Sequence, residues 1–566
     1  MGSPAPELTV VRRLFPGWTR DLAPWTRGNL IAGLTVTAYL VPQVMAYATV
    51  AGLPAIVGLW ASLPALVIYA LMGSSRVLSL GPESSVALMT AAVIAPLVAG
   101  DPGRYAALAA GLAAVVGLIG LIGSLLRVAF ISDLLSRPVL VGYMAGIGVL
   151  MIDGQLDSFL GIDTEGDTLF SHLSEVVSAL PTANLAVVAL AVAVLVLLFV
   201  LARTYPRLPG PLIAVVVAAI LAAVLVAWGA AIPLVGTVPQ GLPTPTLPAL
   251  PDQDLELFAL AAAGVVLVGF TDTVLTGRAF RQRHEDLDTT TELRSMSLAN
   301  IATGFLQGMP VSSSGSRTAL ARTSGATSQG YSLVTAAGLL LVLLVAAPAL
   351  STLPRAGLAA LVIFAALQLI DVGEFRALWR FSRTEFALAV VTCAAVLVVG
   401  ILNGVLVAVA LSVLAMLARV ARPQAAALGF VRGVPGMHDI NDFDDVAEVE
   451  GLLVFRYDSP LFFANANDFT TEAMRMATAR EPGLDWFALN CEAIITIDST
   501  AAAALTSLIS DLTEAGVTFC LVRAKRELLD QLDDAGMLAR IGEEHIYPTL
   551  PTLVEAFRAA HPNHDS

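Results

Sequence analysis

The sequence predicts an α-helical membrane protein that ends in a small α/β domain, and three observations carry that reading. Over the first 422 residues apolar runs follow one another at lengths that suit bilayer spans, arginines collect in every second gap between them, and after Pro423 the runs give way to short strands alternating with helices. The composition points the same way: 566 residues are 57% hydrophobic and 13% charged, with a mean hydropathy of +0.79. A soluble globular chain does not carry that balance. The net charge of -14 is uneven, because acidic residues concentrate after Pro423.

Residues 1–28 contain Pro, Arg and Trp but no short apolar core with a cleavage site, so they read as a cytoplasmic N-terminal segment rather than a removable signal peptide. A transmembrane domain follows over 29–422. Gly, Pro and charge clusters divide it into roughly fourteen apolar segments, starting near Asn29, Ala55, Glu83, Tyr105, Pro138, Leu185, Pro211, Leu255, Glu292, Ser316, Tyr331, Ala356, Glu385 and Leu402. The loops test the division independently. With the N-terminus inside, inner loops hold Arg12, Arg13, Arg20 and Arg27, then Arg127 and Arg137, Arg203 and Arg207, Arg278, Arg281 and Arg283, Arg376, Arg380 and Arg383, and Arg419 and Arg422. The outer loops run the other way: Asp157 to Leu180 is acidic, and Gly229 to Asp254 has no Lys or Arg. Arg104 and Arg355 are the exceptions. Both ends of the chain are therefore expected in the cytoplasm, with the spans in the plasma membrane and lipid around them.

Two segments are broken. Pro310 to Leu320 is a polar, small-residue stretch with one arginine, and Gly73 to Ser85 is another, leading through Gly81-Pro82 into Val86. A bilayer core holds no water to satisfy open backbone amides, so such breaks persist only inside protein or along a cavity. Ser312 to Ser316 reads as the cap of a half-helix, whose N-terminus points free N–H groups and about +0.5 charge into a pocket. Arg317 adds a full charge beside it, a combination that favours an anion. These are the third and tenth segments, equivalent positions in two halves of seven, which is the pattern of an inverted-repeat transporter.

After a linker at 423–445, strand-like Gly451 to Tyr457, Trp486 to Asn490 and Val517 to Val522 alternate with helical Asn465 to Arg480, Ser499 to Ala515 and Arg526 to Ala535, giving a cytoplasmic α/β domain over 446–566. Cys393, Cys491 and Cys520 fit neither a disulfide framework nor a zinc site and read as packing residues. His284, His438 and His545 are scattered. No metal cluster, P-loop or nucleophile triad stands out, so neither an enzyme nor a cofactor is expected, and nothing points to nucleic acid.

The stretch Gly33 to Gly52, with Gly73-Ser-Ser-Arg76, Gly81-Pro82, Arg137-Pro-Val-Leu-Val-Gly142 and Ser312-Ser-Ser-Gly-Ser-Arg-Thr318 in order, resembles the SulP anion transporters, and the C-terminal part resembles their STAS domain. The resemblance covers nearly the whole chain. It implies a fourteen-span, seven-plus-seven inverted repeat divided into a mobile core domain and a gate domain, and a homodimer. It also implies that Gln43 and an aromatic at Tyr47, one helical turn apart, line the anion pocket. Packing between helices is the plain alternative for both residues.

Ser84, Ser85, Ser314 and Ser316 could donate hydroxyls, and Gly315 an open amide; helix capping accounts for the serines equally well. Asp272 is an acid inside a span, costly unless paired, protonated or holding an ion. The resemblance offers two couplings: a proton on Asp272, or sodium held by Asp272 and Thr276. A constitutive Asp272–Arg317 ion pair without coupling is the third reading. Glu83 departs from the family pattern, either pointing away from the pocket or acting as a second protonatable group. Asp498-Ser499-Thr500 resembles a phosphorylatable loop at Ser499 in bacterial regulators of the same fold, and is also a good N-cap.

The favoured function is secondary active transport of a small oxyanion, sulfate first, by proton rather than sodium symport with elevator-like alternating access. Bicarbonate or C4-dicarboxylate transport, an uncoupled channel or exchanger, and a scaffold recruiting a cytoplasmic partner through the C-terminal domain are the alternatives.

Overall fold

In a computed structural model the described residues are 26–98, 102–129, 136–164, 166, 168–205, 210–236, 239–251, 255–281 and 287–562. Arg12, Arg13, Arg20, Arg207, Arg283 and His284 lie outside them. The chain divides into two compact units, residues 1–412 and 413–566.

Between residues 27 and 421 each expected segment is a helix that begins within three residues of the expected start, the last of them containing the division at 412. They are α1 (Arg27–Val50), α2 (Ala55–Met72), α3 (Ser84–Ile94), α4 (Pro102–Leu125), α5 (Arg137–Asp153), α6 (Leu185–Thr204), α7 (Gly210–Ala227), α8 (Leu255–Ala279), α9 (Thr289–Phe305), α10 (Gly315–Thr323), α11 (Gly330–Leu341), α12 (Arg355–Leu369), α13 (Arg383–Val399) and α14 (Ile401–Ala421). Unpredicted amphipathic helices at Leu169–Ala179 and Val372–Phe381 join α5 to α6 and α12 to α13.

Lipid tails are as apolar as leucine, so helix contact here depends on small residues and hydrogen bonds rather than on exclusion of water. Gly58 of α2 sits directly against the Val44 carbonyl of α1, where a Cβ has no room. The broken segments run as strands β1 (Ser79–Gly81) and β2 (Ser312–Ser314), paired antiparallel with Ser79 opposite Ser314 and Gly81 opposite Ser312. That ladder satisfies backbone groups which would otherwise be orphaned inside the unit. Side chains satisfy the rest. Asn300 of α9 exchanges two 2.9 Å hydrogen bonds with the Val311 backbone, Gln329 donates to the carbonyls of Ser75 and Leu78 at 2.9 Å each, and Tyr331 donates to the Val77 carbonyl at 2.9 Å.

The second unit corrects the expected linker. Residues 423–445 carry β3 (Ala425–Val431) and β4 (Met437–Asp439), which join the sheet. β3 pairs antiparallel with β4, with β5 (Val446–Ala447) and with β6 (Leu452–Tyr457). From β6 the sheet continues in parallel through β7 (Trp486–Asn490), β8 (Thr518–Val522) and β9 (Ile546–Tyr547). Parallel neighbours require crossovers, and the helices Ala466–Thr478 and Ser499–Glu514 supply them. Period-two alternation then builds two cores: Leu453, Phe455 and Tyr457 face Phe469 and Leu508, while Leu452 and Val454 pack on the opposite face with Trp486 and Phe557. Cys491 and Cys520 are buried free thiols, and burial pushes both up to about 12, which suits packing rather than reactivity.

Candidate functional site

Four elements converge on a cavity of about 240 Å³ in the first unit: α1, the start of α3, α8 and the start of α10. Glu83, Ser84, Gly315 and Ser316 reach it because both half-helices begin there, on the pairing of β1 with β2. α1 contributes Tyr39, Gln43 and Tyr47, and α8 contributes Asp272 and Thr276. The opposite wall is apolar apart from Gln368, with Pro211 of α7 and Leu361 and Phe364 of α12. A second cavity of about 270 Å³ shares Tyr39, Pro211, Ser316, Phe364 and Gln368 and extends to Tyr205 at the end of α6.

Gln43 ties the wall together. Its Nε2 donates to Tyr47 Oη at 3.1 Å and to Ser316 Oγ at 3.3 Å, and its Oε1 accepts from Arg317 Nη1 at 3.0 Å. Arg317 itself is fully buried behind this wall rather than on it. Nη1 also donates to the Pro82 carbonyl at 3.0 Å and Nε to Ser79 Oγ at 3.3 Å, whereas Nη2 has no hydrogen-bond partner. Gly81 packs closely there: a Cβ would lie 3.2 Å from Nη2, so the guanidinium would have to shift by a few tenths of an ångström.

The acids separate. Glu83 faces the cavity: Ser84 Oγ donates to its Oε1 at 3.1 Å, and its Oε2 stands 3.9 Å from Arg317 Nη1. Asp272 makes no ion pair with Arg317 among the described residues; its Oδ2 accepts from Ser313 Oγ at 3.4 Å. The constitutive Asp272–Arg317 pair is therefore replaced by a Glu83–Arg317 pair, because the guanidinium leaves α10 toward β1 and Pro82.

Ser314 is the N-cap of α10, accepting from Arg317 N at 3.5 Å and sharing a 3.2 Å hydrogen bond with Ser316 Oγ. Ser85 is buried without a hydrogen-bond partner and is not on the cavity wall. A Cβ on Gly315 would meet nothing within 4 Å, and Gly315 and Ser316 line the cavity, so the start of α10 borders open space. The hydroxyls and amides at the two helix starts can hold an oxyanion, while Gln43, with both N–H groups and its oxygen already engaged, braces them, and the two carboxylates can take up a cation to balance it. Tyr39 is the missed wall residue of α1, although its spacing of four from Gln43 places it on the same helical face.

A missed carboxylate lies in α9. Glu292 is fully buried, with Oε1 accepting from Ser74 N at 2.8 Å, Ser74 Oγ at 2.6 Å and Ser75 N at 3.3 Å, and Oε2 accepting from Tyr69 Oη at 2.7 Å. It has no cationic partner among the described residues. In the second unit Ser499 is exposed at the start of its helix, and Asp498 is the cap, accepting from Ala501 N at 2.8 Å.

A sulfate permease family model matches residues 26–392, which contain every residue of the cavity wall, and a STAS domain model matches 445–553. The chain belongs to the sulfate permease family. Its members are transporters, not enzymes. A probable sulfate transporter of Mycobacterium tuberculosis is 50% identical over 536 residues, covering 94% of this chain and 96% of that one. Probable sulfate transporter 4.2 of Arabidopsis thaliana is 29% identical, covering 93% and 80%. Among solved structures, SLC26A9 shares the fold with a TM-score of 0.87 over 98% of this chain and 94% of its own, at 21% identity. The transmembrane domain of a cyanobacterial bicarbonate transporter, BicA, aligns at 25% identity with a TM-score of 0.60, covering 70% of this chain and 98% of its own. The chain is accordingly a multi-pass membrane protein of an anion-transporting family, a helical transporter fold with a C-terminal STAS domain.

Proposed function

We propose that this sulfate permease family member is a secondary active transporter of sulfate, driven by proton symport, working as a homodimer in the plasma membrane with both chain ends in the cytoplasm. The observation that supports it most is the wall itself, where two helix N-termini and two unpaired or weakly paired acids face one small cavity. A divalent oxyanion suits the amides and hydroxyls of Ser84, Gly315 and Ser316 but is repelled by ionised Glu83 and Asp272. Protonation of either acid lowers that repulsion, so cargo and proton favour each other's binding. Release then follows when the proton leaves on the other side.

Alternating access in this reading moves the wall built from α1, α3, α8 and α10 against the apolar wall of α7 and α12, as in an elevator. The antiparallel meeting of the third and tenth segments supports the inverted repeat that such a motion uses. The shared lining of the second cavity, reaching Tyr205 just past the end of α6 where the arginine pattern places the inner side, supports an inward-open state.

Uptake of labelled sulfate into proteoliposomes tests the reading. An inward proton gradient should raise uptake severalfold and a sodium gradient should leave it unchanged; indifference to both gradients would remove coupling. A second reading, sodium-coupled bicarbonate transport, has Asp272 and Thr276 together on the wall and the BicA likeness in its favour. Sodium-stimulated bicarbonate uptake without sulfate uptake selects it.

A further inference from the structure

The helix Val372–Phe381 is too short to cross a bilayer and too apolar to be left in water. Its ten residues span about 15 Å, half of the roughly 30 Å of hydrocarbon core. It is held between α12 and α13 by two residues, Ile370 and Asp371, at one end and one, Ser382, at the other. Both of its ends therefore stay at the ends of membrane spans.

Its inner face is occupied. Leu378 is buried, Glu374 accepts two 2.7 Å hydrogen bonds from Arg137 Nη2, and the rings of Phe375 and Trp379 meet Phe386 edge-on at 6.3 and 4.8 Å. Other apolar side chains are left uncovered: Val372 is 61% exposed and Trp379 46% on one side of the helix, and Phe381 82% at its C-terminal end. Beside them Arg376 and Arg380, four residues apart and so stacked on one face, are both exposed, and neither has an acidic partner among the described residues. Arg383 lies over the Trp379 ring, 3.4 Å from its centroid.

Water suits the arginines but not the rings, and hydrocarbon suits the rings but not the arginines. The boundary of a leaflet suits both, with aromatic rings at the upper acyl chains and guanidinium groups at the phosphates. We propose that Val372–Phe381 is an interfacial helix that binds anionic phospholipid headgroups through Arg376 and Arg380, on the side of the membrane that holds the arginine-rich loops. The occupant is lipid because the spans on either side of the helix also leave apolar side chains exposed, Leu367 of α12 and Val390 and Val391 of α13. It is anionic because a zwitterionic surface offers phosphates but no net negative charge, whereas an anionic leaflet attracts two guanidinium groups that lack acidic partners. Each arginine contributes about fivefold to binding an anionic leaflet.

Native mass spectrometry of the full chain in detergent, titrated with phosphatidylglycerol, phosphatidylcholine or glycerol 3-phosphate, tests this. The chain should bind phosphatidylglycerol in preference to phosphatidylcholine. R376Q/R380Q should lose about twenty-five-fold in that affinity, R376K/R380K should keep most of it, and glycerol 3-phosphate should not compete. In nanodiscs, the emission lost in W379F should be quenched more by brominated phosphatidylglycerol than by brominated phosphatidylcholine, a readout that needs no arginine variant to fold. Equal affinity for the two lipids, displacement by glycerol 3-phosphate, or a photo-crosslinker at position 376 capturing a second copy of the chain would each overturn the proposal.

Discussion

Glu83 and Arg317, 234 positions apart in the sequence, meet with 3.9 Å between Oε2 and Nη1, and the pair joins the start of α3 to the first turn of α10. The arginine is wholly buried, while the carboxylate stands on the cavity wall. At that distance the contact is an ion pair without a hydrogen bond, and each partner keeps one atom unsatisfied, Glu83 Oε2 and Arg317 Nη2. The pair is thus an electrostatic contact that leaves both groups incompletely satisfied.

Glu83→Gln keeps the volume of the side chain and removes its charge. Sulfate binding at neutral pH should tighten by about tenfold or more, since a negative neighbour is lost within a few ångströms of the anion. Dependence of that affinity on pH should shrink in step. Equilibrium binding measured from pH 5 to 8 decides it, and an unchanged pH profile would transfer the proton to Asp272.

Asp272→Asn isolates the other acid. It keeps an acceptor for Ser313 Oγ at a contact of 3.4 Å, so the fold should tolerate it. Gradient-driven sulfate accumulation should be abolished while equilibrium binding persists. Undiminished concentrative uptake would take Asp272 out of the coupling step.

Arg317→Ala should cost stability and affinity together. Gln43 Oε1 and the Pro82 carbonyl lose their donors, Glu83 loses its counter-charge, and breaking such a buried charged network costs about 3–5 kcal/mol. A thermal unfolding scan with and without sulfate separates the two effects: an unfolding midpoint that drops while the sulfate-induced shift is preserved means that the helix amides suffice for binding.

The broken segments were legible because hydrocarbon leaves so few options for Ser, Gly and Pro at depth, and the starts of the spans because charge and Gly/Pro clusters interrupt apolar runs. Side-chain direction was not legible. Arg317 sits beside the half-helix tip as its position requires, yet it turns behind the wall to Pro82 and Ser79. Gln368 and Phe364 of the facing wall look like ordinary members of an apolar run, because only packing decides which face of α12 meets the cavity. Residues 423–445 pass for a linker since Ala425, Ala426 and Ala427 have weak strand preference, and β6 supplies the pairing that their own sequence does not advertise. Glu292 reads as a charge flanking a span, and nothing local announces that it closes a turn 218 positions away.

Glu292→Gln tests that closure. The carboxylate accepts four hydrogen bonds, and an amide turns one of its acceptors into a donor aimed at donors. The loss should be about 1–3 kcal/mol, with Tyr69→Phe costing less because only one hydrogen bond goes. Thermal unfolding of the purified variants reads both, and a wild-type midpoint for Glu292→Gln would show that the turn at Ser74 holds without it.

The helix Leu169–Ala179, which connects α5 to α6, offers a pH test whose sign can be worked out. His172 Nδ1 lies 2.9 Å from Asp153 Oδ1 at the end of α5, and Nε2 lies 3.3 Å from Asp157 Oδ1, itself an acceptor from Thr164 Oγ1 at 2.9 Å. Burial alone would lower the imidazole's pKa, but the hydrogen bond and charge of Asp153, with Asp157 added, outweigh it and raise the pKa above the usual 6.5. Only the imidazolium can donate to both carboxylates. Its contribution is therefore complete below the unfolded histidine's pKa of about 6.5 and is lost as pH rises through the higher folded value. Proteolysis of the segment around Leu169–Ala179 should accelerate on going from mildly acidic to mildly alkaline pH, and His172→Asn should show the fast rate throughout. A wild-type rate that stays flat with pH, once the protease's own profile is divided out, would mean that the helix is held by Leu169 and Val176 packing instead.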